Sequence, residues 1–229
     1  TGTVVGDKVV LSHFDGIRGT HIEMRLTQAG TLEGTMGATE KFTAARLDQA
    51  AKLGIPEPPD PSRFIAVKDP SQPLEFKFQD LDGHEVSLSD ARFAGKAVIV
   101  TITGSWCPNC HDEAPFLAEL YRRYRGLGLE VVALSFEEAE QLADPARLKA
   151  FVKQYGIEYS YLVAGEPAQV HEKIPGAENL NAWPTTFFVG RDGKVRGSHT
   201  GFAAPASGEF HRQLRREFTG LVEKLLAER

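Results

Sequence analysis

Cys107 and Cys110 are the only cysteines in a chain of 229 residues, and both lie in the stretch TITGSWCPNCHDEAPF, Thr101 to Phe116. A disulfide between them closes almost no loop, so chain entropy gives such a staple little stabilising value. The spacing suits a reagent better. Pro108 fits the first position of a helix, where its missing N–H costs nothing. Cys107 then takes the N-cap, with its sulfur facing the free N–H groups of Asn109 and Cys110. A thiolate there also gains from the positive end of the helix dipole, so the spacing predicts a Cys107 pKa below that of a free thiol. Cys110, inside the first turn, reaches back to Cys107 and is expected to be more buried. The pair therefore reads as an exposed, attacking Cys107 and a shielded, resolving Cys110, the arrangement that disulfide exchange requires.

The neighbours admit more than one role. Trp106 is expected to shield one side of the pair, to pack, or both. His111 lies four residues after Cys107, within reach of its thiolate on a helix, although a solvated helix face is the simpler expectation. Glu113 lies three residues after Cys110, on that residue's face of the helix. It is a candidate for proton work at Cys110, against the simpler expectation of an exposed, idle carboxylate. Pro115 removes the hydrogen bond to the His111 carbonyl and is expected to kink the helix. A CxxC is also half of a zinc site, but structural zinc takes four ligands and no second CxxC or HxxxH follows. Copper is the more serious metal alternative, held by the two cysteines and a distant histidine such as His199. The sequence assigns no metal ligand and calls for no cofactor.

The elements that must hold this pair fall into three textures. Residues 1–47 alternate apolar and polar side chains, as in Ile22, Met24 and Leu26, with a hairpin turn at QAGT. This predicts a small antiparallel β segment of four short strands, a thin core by itself. TAARLDQAAKLG, Thr43 to Gly54, is expected to form a short helix ended by Gly54, and residues 48–73 are assigned to a proline-rich, semi-rigid linker. From Leu74 strands and helices alternate. A hairpin turns at Asp82-Gly83, buried strands cover Lys96–Thr103 and LEVVALSF, helices cover Pro108–Tyr124 and Pro145–Tyr155, and YSYLVAG is a further strand. A hairpin turning at Asp192-Gly193 follows. A final amphipathic helix carries Phe210, Leu214, Phe218, Leu221 and Leu225 on its apolar face. The pattern predicts an α/β domain over 74–229 with a mixed central sheet flanked by helices. Composition is that of an ordinary globular protein, 41% apolar and 25% charged. The net charge of −5 argues against nucleic acid or an anionic membrane as the main partner. The longest apolar run, AVIVTI, is far too short to span a bilayer.

WCPNC, the strand before it, and WPTTFFVGRDGKV downstream resemble the thioredoxin superfamily; CPNCHDEAP with GKAVIV ahead of it is similar to TlpA/ResA-type thiol–disulfide oxidoreductases, redoxin-like proteins. The resemblance covers roughly Leu74 to Arg229. It implies a thioredoxin fold, Cys107 as attacking cysteine, Cys110 as resolving cysteine, and Pro184 as a cis-proline facing them. A cis bond there would present the Trp183 backbone to an extended substrate chain. It also implies protein thiols and disulfides as partners, an upstream redox partner, and an extracytoplasmic setting such as the bacterial periplasm or the outer face of a membrane. Any membrane attachment would come through an anchor that this chain does not contain. Two departures stand out. Many thioredoxins carry a buried acid on the strand six residues before the first cysteine, where this chain has Thr101; and the residues between the cysteines are Pro108-Asn109 rather than Gly-Pro. A peroxiredoxin-like peroxidase is the enzyme alternative. Its PxxxTxxC pattern fails here, because Gly104 stands in the threonine's place and Thr103 lies one position out. A copper metallochaperone of the same fold is the other, although such proteins usually space their cysteines as CxxxC.

Overall fold

A computed structural model describes residues 2–14, 19–56 and 65–228, and the chain divides into two compact units, Thr1–Pro59 and Asp60–Arg229.

The first unit is an antiparallel meander of five strands in sequence order, not the four expected: β1 (Gly2–Val5), β2 (Lys8–Phe14), β3 (Gly19–Leu26), β4 (Leu32–Met36) and β5 (Glu40–Ala44). The extra strand arises because the turn at Gly6-Asp7 folds VVGDKVV back on itself, pairing Val5 with Lys8. The register aligns Val4, Val9, Met24 and Phe42 across the sheet, so the period-two alternation puts apolar residues on one face. Lys8 and Glu23 form an ion pair on the other face. The QAGT turn is closed by Thr27, whose N–H donates to the Thr31 carbonyl at 2.8 Å. Helix α1 (Leu47–Ala50) and one tighter turn follow, ending at Gly54 as expected. Residues 57–64 of the proline-rich linker lie outside the described residues.

The second unit starts before Leu74. Ile65 is buried, its carbonyl accepts from Ser198 Oγ at 2.6 Å, and β6 (Ala66–Val67) pairs with β12 (Ala177–Glu178). Residues 65–73, expected as spacer, thus belong to the packed α/β unit.

Between those two strands the chain forms β7 (Lys77–Asp80), β8 (Glu85–Ser87), β9 (Ala97–Thr103), α2 (Pro108–Tyr124), β10 (Leu129–Phe136), α3 (Ala139–Ala143), α4 (Ala146–Gln154), β11 (Ser160–Gly165) and α5 (Val170–Lys173). After them come β13 (Thr185–Val189), β14 (Val195–Thr200) and α6 (Glu209–Ala227). The central sheet has seven strands in the order β14-β13-β9-β10-β11-β7-β8. Its middle strands β9, β10 and β11 run parallel, and β13 and β7 lie antiparallel on either side. Parallel strands are covered on both faces, which is why AVIVTIT and LEVVALSF are near-continuous apolar runs. One face packs Ile99, Val131, Ala133 and Phe188 under α2, α4 and α6; the other packs Val100, Val132, Leu134 and Phe187 with α5 and the segment around Ile65.

Helix α6 buries Leu214, Phe218, Val222 and Leu225, a stripe at helical spacing. Phe210 is a correction to the expected stripe: it is the second residue of the helix and is 75% exposed.

Candidate active site

Strand β9 ends at Thr103, the loop Gly104–Trp106 follows, and α2 opens at Pro108 with Cys107 as its N-cap. The Cys107 backbone is extended, and its sulfur accepts the Cys110 N–H at 3.3 Å. Both cysteines are free thiols. Their environments are unequal. The hydrogen bond with the Cys110 thiol is the main influence holding the Cys107 thiol below its ordinary pKa, and the Cys110 and Asn109 N–H groups act in the same direction against burial. Burial pushes the Cys110 thiol well up, and the proximity of Cys107 adds to it. The expected exposure of Cys107 is corrected: its residue is only 3% exposed, against 1% for Cys110. The asymmetry therefore lies in hydrogen bonding and depth rather than in surface.

Glu113 is a second correction. It is 1% exposed rather than solvated, and its carboxylate accepts from Thr101 Oγ1 at 2.8 Å and Thr186 Oγ1 at 2.7 Å. Burial raises its pKa to about 7, with the two hydroxyls pulling the other way. Glu113 shares the buried face of α2 with Cys110, Ala114 and Leu117, which sets it against β9 and β13. Thr186 pairs with Thr101 in the sheet, so one carboxylate spans both hydroxyls. The strand position that carries an acid in many thioredoxins thus donates a hydrogen bond here to an acid supplied by the helix.

His111 is a third correction. Its Nε2 lies 3.0 Å from the Ser105 carbonyl and its Nδ1 2.8 Å from the Tyr155 hydroxyl, and the ring packs edge-on against Phe151. The carbonyl can only accept, so Nε2 donates to it, while Nδ1 shares a hydrogen bond with the tyrosine hydroxyl. His111 thus ties the cysteine loop to the end of α4, not to solvent.

Trp106 Nε1 donates to the Phe136 carbonyl at 2.8 Å, and its ring meets Trp183 edge-on at 5.4 Å. The two indoles form an apolar wall. The Trp183–Pro184 peptide is cis. Thr185 pairs with Ile102, which sets Pro184 alongside Thr103 at the end of β9. Gly104 sits under the indole: a Cβ there would stand 2.5 Å from Trp106 Nε1 and 2.9 Å from the Phe136 carbonyl oxygen.

Sequence reasoning missed a second buried carboxylate. Glu137, just beyond β10, is fully buried and accepts from the Ser105 N–H at 2.7 Å, from Ser105 Oγ at 2.5 Å and from Ser135 Oγ at 2.7 Å. Arg147 of α4 completes the cluster, donating to Ser105 Oγ at 2.9 Å and reaching Glu137 at 3.4 Å. Ser105 is held from β10 and α4 together, two residues ahead of Cys107. The available signal was an acid directly after the largely apolar strand LEVVALSF.

His199 does not join the cysteines. Its ring packs on Phe218 and its Nδ1 lies 3.1 Å from the Gly201 carbonyl. Among the described residues the ligand atoms that converge closely enough for an ion are those of Asp80, Asp82 and His84, an exposed turn cluster, and neither cysteine takes part.

A mixed sheet with parallel central strands, a CxxC at the N-terminus of the helix after its central strand and a cis-proline facing that strand's end define a protein of the thioredoxin fold. The chain belongs to the AhpC/TSA family, whose pattern matches residues 70–198. It is 36% identical over 120 residues to the thiol-disulfide oxidoreductase ResA of Bacillus thuringiensis (strain Al Hakam), an alignment that covers 52% of this chain and 62% of that protein. It is 30% identical over 146 residues to the thiol-disulfide oxidoreductase ResA of Geobacillus kaustophilus (strain HTA426), covering 64% of this chain and 77% of that one. The match thus spans less than two thirds of the first relative's length. A DsbF homologue from Corynebacterium diphtheriae shares the fold with a TM-score of 0.53 at 19% identity, covering 74% of this chain and 97% of that one.

Proposed function

We propose that the protein is a thiol–disulfide oxidoreductase that exchanges disulfides with protein partners through Cys107 and Cys110. The observation that carries this reading is the inequality of the two thiols. One sulfur caps a helix with its pKa lowered, and the other is buried beside it with its pKa raised, above a carboxylate that titrates at about 7. The thiolate is the nucleophile in exchange, so Cys107 attacks the partner's disulfide, forms a mixed disulfide and releases one partner sulfur. Cys110 then gives its proton to Glu113, attacks Cys107, and frees the partner as a dithiol. A carboxyl that titrates near neutrality is matched to taking that proton and returning it later. Trp106 and Trp183 wall the pair, and the Trp183 backbone offers strand-like pairing to an extended partner segment.

Cys110→Ser in the full chain tests this. It is expected to accumulate covalent adducts with a disulfide-bonded protein substrate, adducts that dithiothreitol reverses. Cys107→Ser is expected to give none and to lose reductase activity. Adducts formed only through Cys110 would reverse the roles, and failure of either thiol to exchange would remove the proposal.

The setting is part of the same proposal: an extracytoplasmic compartment with an upstream redox partner that resets the pair. The resemblance to TlpA/ResA-type proteins supports it. No helix among the described residues is long and apolar enough to cross a membrane. Fractionation of the source cells checks the location.

A further inference from the structure

The register of the central sheet lines up hydroxyls in the largely apolar layer that also holds Glu113. Ser135 of β10 pairs with Thr103 of β9, and Ala133, two residues earlier on the same face, pairs with Tyr161 of β11. A polar group in such a layer is costly unless it is hydrogen-bonded. Ser135 meets that demand by donating to Glu137 at 2.7 Å. Tyr161 does not: its hydroxyl is buried and, among the described residues, has no hydrogen-bond partner. A phenylalanine would fill nearly the same space without the orphan, so the hydroxyl calls for an explanation.

Its neighbours supply one. Burial pushes the Tyr161 phenol up, opposed by the hydroxyls of Ser135 and Thr103. The Thr103 hydroxyl is also what draws the Cys110 thiol down against its burial. Thr103, held at the end of β9 by its pairing with Ser135, therefore bears on both the orphan hydroxyl and the resolving sulfur. While Cys110 is a neutral thiol, there is no anion for a chain of donors to serve. Once Cys110 ionises, Thr103 turns its proton onto the sulfur and its oxygen is left to accept from Tyr161. Donors in series toward an anion polarise one another. Ser135 does not compete as a donor, because Glu137 already holds its proton.

We propose that Tyr161 is a positioning residue for the resolving step, acting through Thr103 to stabilise the Cys110 thiolate as it forms. The inference rests on the exchange reading above. In this step the Cys110 proton passes to the Glu113 carboxylate, the Cys107–Cys110 bond forms as the bond from Cys107 to the partner breaks, and the partner leaves as a thiolate that takes up a proton. Across the full cycle the pair loses two electrons and the partner disulfide gains them. The other titratable groups that bear on the two positions are Cys107 and Glu113 from α2, Tyr159 just before β11, and Glu137 at the end of β10 with Arg147 of α4 behind it.

The test uses the reduced full chain mixed with one equivalent of 5,5′-dithiobis(2-nitrobenzoate) in a stopped-flow instrument. Attack by Cys107 releases chromophore once, and resolution by Cys110 releases it again. Tyr161→Phe is expected to leave the first phase unchanged, to slow the second about tenfold and to move its pH midpoint upward, the scale of one charge-assisted hydrogen bond. Its Tm should be equal to or above that of the unsubstituted chain, because an unpaired buried group has been removed. Thr103→Val should slow the same phase, and the double variant should be no slower than Thr103→Val alone. An unchanged second phase with a raised Tm overturns the proposal and leaves the hydroxyl a packing defect. Slowing by Thr103→Val alone overturns the role of Tyr161. If the unsubstituted chain never releases the second chromophore, the exchange reading falls and takes this inference with it.

Discussion

Glu113→Gln separates what the buried carboxylate does for the fold from what it does for the chemistry. Its pKa is raised from 4.5 to about 7 by burial. The folded protein therefore binds this proton more tightly than the unfolded chain, and folding stability falls as pH climbs between those two values. A rise of that size corresponds to roughly 3 kcal/mol at pH 8, lost because an ionised carboxylate is kept in a dry site. Glutamine removes the charge and keeps the shape. Its amide oxygen accepts from one threonine and its NH2 donates to the other, whose hydroxyl can turn to accept. Urea unfolding of the reduced full chain from pH 4 to pH 8.5 reads the difference. The variant and the unsubstituted chain should agree near pH 4, and the variant should gain up to ~3 kcal/mol through the window to pH 8. The same variant should resolve mixed disulfides more slowly at and above neutral pH, where the unsubstituted carboxylate can take the Cys110 proton, and the difference should shrink as pH falls below 7. Equal stability of the two proteins at pH 8 would refute the argument, since Glu113 would then not be holding a charge against burial.

Two further outcomes are expected. In the reduced protein, iodoacetamide at mildly acidic pH should label Cys107 well before Cys110, read by peptide mass spectrometry, because the hydrogen bond from the Cys110 thiol and the N–H groups of the helix terminus favour one thiolate and burial opposes the other. Truncation tests the division of the chain: deleting residues 1–59 should leave the second unit folded and active, whereas deleting 1–73 also removes Ile65 and β6, a loss on the order of 2–5 kcal/mol for the buried isoleucine alone. Denaturant midpoints of the two truncations decide it.

What the sequence makes legible here is local. Pro108 after Cys107 marks the start of α2, and period-two alternation marks β3. Asp192-Gly193 marks the turn between β13 and β14. What it hides depends on contacts between distant segments. Glu113 reads as a surface residue because carboxylates on helices usually are; only the approach of Thr101 and Thr186 makes burial tolerable. His111 reads as solvated until Ser105 and Tyr155 are brought to either side of it. Phe210 follows the apolar spacing of α6, but spacing does not reveal that the second residue of the helix is left exposed. Glu137 and Tyr161 carry no motif at all, and their meaning appears only when three strands lie in register.

The closeness of Gly104 to its neighbours bears on how this scaffold can diverge. A peroxidase of the same fold wants a threonine three positions before its cysteine, the place Gly104 holds. Any side chain there would collide with the Trp106 indole nitrogen and with the Phe136 carbonyl, and the second of these is backbone that cannot swing away. The threonine and the indole cannot occupy this loop together while Trp106 keeps its bond to Phe136. Single-step mutation from one chemistry to the other therefore passes through a broken loop, and a lineage would have to give up the tryptophan and also shift the backbone at the Phe136 carbonyl. A library randomised at positions 104 and 106 together should contain folded threonine variants only where the indole has been replaced by something smaller.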